Sequence, residues 1–128
     1  MLKLSLKDHS IKDAMDIIDG FILNSCIKED IAKRLKVVYE ELITNIFKYA
    51  LRLGARYVEI KIKQKNDYVS LCLEYDGEAF DPTEYKAHIV TDLSDMQIGG
   101  LGLFLVGKLS KTFKYERKDN KNVITVTV

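Results

Sequence analysis

A carboxylate, an amide and two cations recur along one stretch of this chain. In Glu40-Glu41-Leu42-Ile43-Thr44-Asn45-Ile46-Phe47-Lys48-Tyr49-Ala50, continued to Arg52, the residues Glu41, Asn45, Lys48 and Arg52 stand at i, i+4, i+7 and i+11. On a helix that spacing forms one polar stripe. A carboxylate there can take a proton from a hydroxyl. The amide oxygen can join phosphates around magnesium, which prefers oxygen ligands and usually keeps several waters. The same spacing also describes a solvated helix face held by i,i+4 pairs.

Two further groups carry chemistry. In Glu74-Tyr75-Asp76-Gly77-Glu78-Ala79-Phe80-Asp81-Pro82 a strand pattern runs into a loop. A glycine after an acid lets backbone approach a ligand closely, and Phe80 can anchor the loop. An ordinary strand-end turn uses the same residues. In Ile98-Gly99-Gly100-Leu101-Gly102-Leu103-Phe104 three glycines fall where a helix opens. Glycines expose backbone N–H groups there, and the helix N-terminus is partially positive, so an anion or phosphate fits. Close packing of the helix on a sheet is the other reason for glycine at these positions.

The elements that must position these groups follow from periodicity. Leu2, Leu4 and Leu6 alternate as a short strand, and Ser10 can cap a helix with Ile11, Met15, Ile18 and Ile22 on one face. Ile31, Leu35, Val38, Leu42, Ile46 and Tyr49 predict a longer helix over residues 29–50. The period then changes to two. Val58, Ile60 and Ile62, then Val69, Leu71, Leu73 and Tyr75, predict an antiparallel hairpin turning near Asn66-Asp67. Residues 76–99 keep no period, and an irregular stretch of more than ~15 residues is often functional. A helix after Gly100 would use Leu101, Leu105, Val106 and Leu109. Strands over 112–116 and 122–128 would flank a Lys118-Asp119-Asn120-Lys121 turn. Clustered strands with helices that do not alternate regularly predict an α+β fold: a two-layer sandwich, with helices on one face of a mixed, mainly antiparallel sheet.

Composition narrows the function classes. With 128 residues the chain matches one domain. Twenty Lys and Arg against nineteen Asp and Glu leave a net charge of +1, which gives no broad attraction to nucleic acid or anionic membrane. No apolar run approaches the ~20 residues of a spanning helix, and the N-terminus lacks a signal-peptide core. Cys26 and Cys72 form no CxxC, and His9 and His88 have no ligand-like spacing to them, so structural zinc is not expected. Both cysteines are expected to be buried thiols in a cytosolic protein.

The three groups together, in this order, resemble the gyrase and histidine-kinase ATPase superfamily, whose architecture is the Bergerat fold. Within it the chain is most similar to small bacterial anti-sigma factors that are also serine-protein kinases. The likeness covers nearly the whole chain. Glu41 and Asn45 match the family's Glu-x-x-x-Asn box; Gly100, Gly102 and Leu103 match its second glycine box; Phe80-Asp81-Pro82 resembles the corresponding anti-sigma loop. The resemblance implies ATP and magnesium as cofactors, with Glu41 as general base and Asn45 as the magnesium ligand. It places Lys48, Tyr75, Asp76, Gly77, Ala79, Phe80, Gly99, Gly100, Leu101, Gly102 and Leu103 around the nucleotide, under a lid at about residues 81–98. It also implies phosphorylation of a serine on an anti-anti-sigma partner, sequestration of a sigma factor, homodimerisation and a cytoplasmic location, without direct nucleic-acid or membrane contact.

One position departs from the pattern. The family's first glycine box begins with an Asp that accepts a hydrogen bond from the adenine amino group. Aligning on Gly77 and Ala79 puts Tyr75 there and leaves Asp76 on the box's variable position. Alternation along the strand turns Asp76 away from the face that Tyr75 shares with Val69, Leu71 and Leu73. A lost hydrogen bond to a charged acceptor costs ~1.5–3 kcal/mol, roughly ten- to hundredfold in affinity. A bulge could re-aim Asp76, or the Tyr75 hydroxyl could substitute. The second function class open to this sequence is therefore the same scaffold acting by protein contact, with nucleotide weak or absent.

Overall fold

A computed structural model describes residues 2–83 and 100–128. Strand β1 (Leu2–Ser5) leads into helix α1 (Ile11–Leu23). Ser10 caps α1 as expected: its side chain accepts from the Asp13 amide while the Asp13 carboxylate accepts from the Ser10 amide. Helix α2 (Glu29–Asn45) follows, then a π-helical turn (Ile46–Ala50) and a 3-10 turn (Leu51–Leu53). Gly54, at φ +92°, ends this run in the left-handed conformation. Strands β2 (Tyr57–Gln64) and β3 (Val69–Tyr75) come next, then helix α3 (Gly100–Leu109), β4 (Thr112–Lys118) and β5 (Lys121–Thr127).

The five strands form one sheet in the order β1-β2-β3-β5-β4. Every pair is antiparallel. The predicted parallel admixture is thus absent among the described residues, because no strand-to-strand connection here returns as a crossover between neighbours running the same way. Register explains which face is covered. Ile62, Leu71 and Val126 lie abreast, as do Ile60, Leu73 and Ile124, and the last row is Val58, Tyr75 and Asn122. These residues point into the core with Leu35, Val38, Leu42 and Ile46 of the α2 region and Leu103 and Val106 of α3. The alternate positions, such as Lys61, Cys72 and Thr125, are exposed or half-buried. Three helices on one face of an open antiparallel sheet confirm the predicted α+β sandwich.

Three expectations need correction. The α-helical period of the long helix stops at Asn45 rather than residue 50, because the π turn widens the next coil. Leu105 is 39% exposed, whereas Leu103 and Val106 of α3 are buried in the core and Leu109 packs against it. Cys26 is exposed and Cys72 half-buried, so the thiols are not both core groups. The turn between β4 and β5 does match: Asp119 and Asn120 both take positive φ, which suits a tight hairpin and these two residue types. Most of the predicted lid, residues 84–98, lies outside the described residues, as does Gly99. Among the described residues no helix is long and apolar enough to cross a membrane.

Candidate functional site

Glu41 and Asn45 lie one turn apart at the end of α2, facing the start of α3. The Asn45 side-chain N–H donates to the Glu41 carbonyl at 2.7 Å. Since two oxygens would repel at that distance, this bond fixes which way the amide points. The remaining atom, Oδ1, is buried and has no hydrogen-bond partner among the described residues. A buried polar oxygen left unpaired costs ~1–3 kcal/mol, so a water, an ion or a ligand group is its natural complement. An amide oxygen suits a hard, oxygen-seeking cation such as magnesium, and the residues here fit that ion.

The Glu41 side chain reaches across to α3. A Cβ built on Gly102 would come within 2.7 Å of the Glu41 carboxyl carbon, and still closer to one carboxylate oxygen. Gly102 therefore makes room for this carboxylate. Burial raises the Glu41 pKa above the ordinary carboxylate value, and Glu40 adds to that; Lys48 opposes it. A carboxylate so raised is a better proton acceptor than an exposed one. Lys48 and Arg52, expected in the same stripe, are both exposed. Lys48 sits within the π turn, and Arg52 lies beyond it with its guanidinium 5.9 Å from the Tyr49 ring centre.

The loop after β3, which also carries expected site residues, is closed on itself. Tyr75 has no exposed surface, and its hydroxyl donates to the Phe80 carbonyl at 2.7 Å. Burial pushes its pKa far up, so the phenol stays protonated. Asp76 points away from the core, as alternation predicted, and no bulge re-aims it. Its carboxylate accepts from the Arg56 amide at 2.7 Å, the Arg56 guanidinium at 3.0 Å and the Tyr57 amide at 3.2 Å. Burial alone would raise the Asp76 pKa, but these hydrogen bonds hold it below the usual value. Gly77, at φ +89°, brings the loop against Ala55, where a Cβ would lie 2.6 Å from the backbone nitrogen.

Asn122 ties this loop to the sheet. It is fully buried opposite Tyr75 in the β3–β5 register. Its Oδ1 accepts from the Phe80 amide at 3.0 Å and from the Tyr115 hydroxyl. Its Nδ2 is within 3.3 Å of the carbonyls of Tyr75, Asp76 and Glu78. Arg117 donates to the Gly77 carbonyl at 2.8 Å. Sequence reasoning missed Asn122, Arg117 and Arg56. Asn122 had a signal: it occupies the inward phase of the alternation set by Ile124, Val126 and Val128, where a polar residue needs a reason.

The structure thus brings Glu41, Asn45 and Gly102 together where α2 meets α3, and Tyr75, Gly77 and Phe80 together in the loop after β3. Leu103 and Phe80 are buried core residues, Ala79 is exposed, and Gly100 and Leu101 form the first turn of α3. Two clefts lie away from these groups. One of about 380 Å³ runs between α1 and the β1–β2 edge, and one of about 180 Å³ lies beside Cys26 and the β2–β3 turn. Neither is lined by Glu41, Asn45 or Gly102. Among the described residues no cluster of three or more His, Cys, Asp or Glu could hold a metal ion.

Known proteins resemble this chain in sequence or in fold. The serine/threonine-protein kinase BtrW of Bordetella bronchiseptica is 27% identical over 128 residues, covering 98% of this chain and 90% of that protein. A chain of the SiaB–SiaC complex from Pseudomonas aeruginosa superposes with a TM-score of 0.64 at 16% identity, covering 100% of this chain and 89% of that one. The nucleotide-free catalytic domain of the histidine kinase ThkA gives a TM-score of 0.51 at 18% identity, over 99% of this chain and 94% of that one. These two structural likenesses speak for the fold. The family of the histidine kinase-like ATPase domain matches residues 4–128, all but the first three, and the chain belongs to that family.

Proposed function

We propose that this protein is a regulatory serine-protein kinase of the anti-sigma type. It would take MgATP between α2 and α3 and phosphorylate a serine on a small anti-anti-sigma partner, while holding a sigma factor by its surface. The observation that carries this reading is the unpaired Asn45 Oδ1 beside a half-buried Glu41. The 27% identity to a serine/threonine-protein kinase supports it.

Asn45 Oδ1 would hold the magnesium, which when bound neutralises charge on the phosphates. Glu41 accepts the proton of the incoming serine hydroxyl. As it does so, the bond from serine oxygen to the γ-phosphorus forms, and the bond from that phosphorus to the β–γ bridging oxygen breaks. ADP leaves and the proton remains on the Glu41 carboxyl. Such a transfer depends chiefly on positioning and charge stabilisation rather than covalent chemistry by the protein.

Calorimetric titration with ATP and ADP, with and without magnesium, tests the reading. Magnesium-dependent binding near micromolar is expected. Asn45→Ala should weaken it by roughly ten- to hundredfold and remove its dependence on magnesium. Magnesium dependence left intact would refute the assignment of Asn45. The burial of Tyr75 where the family's adenine-binding Asp stands favours a second reading, a scaffold acting by protein contact alone. Absence of binding in the millimolar range would decide for it.

A further inference from the structure

We propose that the notch where β2 outruns β1 takes an extended segment of a partner protein, in which acidic and apolar residues alternate, as an added strand. β1 pairs with residues 57–60 of β2, while β2 continues to Gln64. The Leu6 amide donates to the Arg56 carbonyl on the β1 side, and the Lys65 amide to the Tyr68 carbonyl on the β3 side. Alternation in an antiparallel ladder then gives the even-numbered residues of β2 to the β1 side, so Ile62 and Gln64 present their N–H and C=O groups there. Among the described residues no strand pairs with them on that side. A free edge of this kind is where an extended peptide adds to a sheet.

Beside the edge lies the cleft of about 380 Å³, with Leu2, Ile17, Phe21, Ile60 and Ile62 as its apolar lining. Gly20 of α1 forms part of the same wall. Glycine inside a helix costs ~1 kcal/mol against alanine. Yet a Cβ at Gly20 would meet nothing within 4 Å, so no packing among the described residues requires glycine there. Its effect is to leave the cleft open. The helix-side residues of an added strand would fill this space, next to Leu2, which is 52% exposed.

Charge selects the occupant. Lys61 and Lys63 occupy the outward phase of β2, and Lys65 follows just beyond it. All three are exposed, and none is in an ion pair among the described residues. Opposite charges across neighbouring strands stabilise, and like charges directly opposite destabilise. A second copy of the chain therefore fits poorly. β2 against itself would set lysine against lysine, and the edge strands β1 and β4 bring Lys3, Lys114 and Lys118 with Glu116 as their single acid. A segment with Asp or Glu at every second position meets the lysines on the outer face while its apolar residues enter the cleft.

The test is fluorescence anisotropy of labelled synthetic peptides with the wild-type protein, without nucleotide. A peptide alternating Glu and Val over about six residues, an ordinary strand length, should bind. The same peptide with Lys in place of Glu should bind at least about tenfold more weakly. Equal binding of the two, or binding by neither, would overturn the proposal. Methylating the peptide amides that face β2 should abolish binding; an unchanged affinity would mean burial without a strand ladder, against the proposal. Gly20→Leu should keep or raise the melting temperature and weaken the Glu–Val peptide by about tenfold or more. Unchanged affinity there would put the peptide elsewhere. Lys63→Glu, at an exposed position, should reverse the order of the two peptides, and an order left as it was would refute the role of charge. A wild-type dimer that Gly20→Leu dissociates, measured by sedimentation, would assign the notch to a second copy and overturn the proposal. The kinase reading is untouched by any of these results.

Discussion

Glu41 and Asp76 are both carboxylates at the candidate site, and their surroundings drive them in opposite directions. Ionising Glu41 in the folded state is disfavoured by burial, so its folded pKa lies above its unfolded value. The folded state then holds the proton more tightly. Stability from this group is fully present below the unfolded value and is lost as pH rises through the folded one. Glu41→Gln should therefore raise the melting temperature at pH 8 relative to wild type, with the gain shrinking towards pH 4, while the proposed phosphotransfer is lost. A variant less stable than wild type at pH 8 would show that the carboxylate is not strained. Asp76 has the opposite sign. Its folded pKa is lowered, so its contribution is present above the unfolded value and is lost as pH falls through the folded one. Asp76→Asn should cost ~1.5–3 kcal/mol at pH 7, as hydrogen bonds to a charged group do, and less at pH 3. Denaturant unfolding at the two pH values measures it. This acid, one place beyond the family's adenine-binding position, thus works as a clamp on the start of β2.

At the scale of elements, the loop after β3 is held by both of its neighbours. Gly77 meets the Gly54–Ala55 corner that closes the long helical run, and the Glu78 amide donates to the Leu53 carbonyl at 2.8 Å. Asn122 holds the same loop from β5. Gly77→Ala would put a methyl group into the Ala55 backbone at a positive φ, so both strain and overlap act against it. A loss of about 1–3 kcal/mol or more is expected, measured by denaturant unfolding. A loss within ~0.5 kcal/mol, the range of a neutral surface change, would show that the loop relaxes freely. The π turn belongs to the same corner. It puts the change of helical period directly after Asn45, and such turns often occur where a helix carries function.

Across the molecule, the candidate site depends on two helices distant in sequence that meet on one face of the sheet. Gly102 of α3 lies where the Glu41 side chain of α2 arrives. This makes stability and function separable by one substitution. Alanine is the better helix former by ~1 kcal/mol, and the obstructing atoms are the far end of a flexible side chain that can swing aside. Gly102→Ala should hold or raise the melting temperature while the proposed phosphotransfer falls, because Glu41 is displaced. Activity unchanged with the alanine in place would show that Glu41 need not occupy this space. The same layering leaves the outer face of the sheet half-wet, with Lys61, Cys72 and Thr125 abreast.

Local regularities are what the sequence by itself determined. The capping box at Ser10 and Asp13, the period of three to four in α2 and the alternation in β2 and β3 each follow from neighbours a few residues apart. The resemblance carried by Glu41, Asn45 and the glycines then selected among sandwiches. Alternation alone also assigns Tyr75 to the inward face of β3 and Asp76 to the outward one. Three matters depended on contacts between distant segments. The sheet order set Asn122 opposite Tyr75, 47 residues away, and so spent the loop's hydrogen bonds internally. The choice of Leu103 over Leu105 as a core residue was made by the way α3 packs, chiefly against α2, since leucine is equally apolar at either place. The unpaired oxygen of Asn45 arises only once burial has removed water and the Glu41 carbonyl has taken the other end of the amide. Periodicity reports which way a side chain points, and only tertiary packing decides what it meets there.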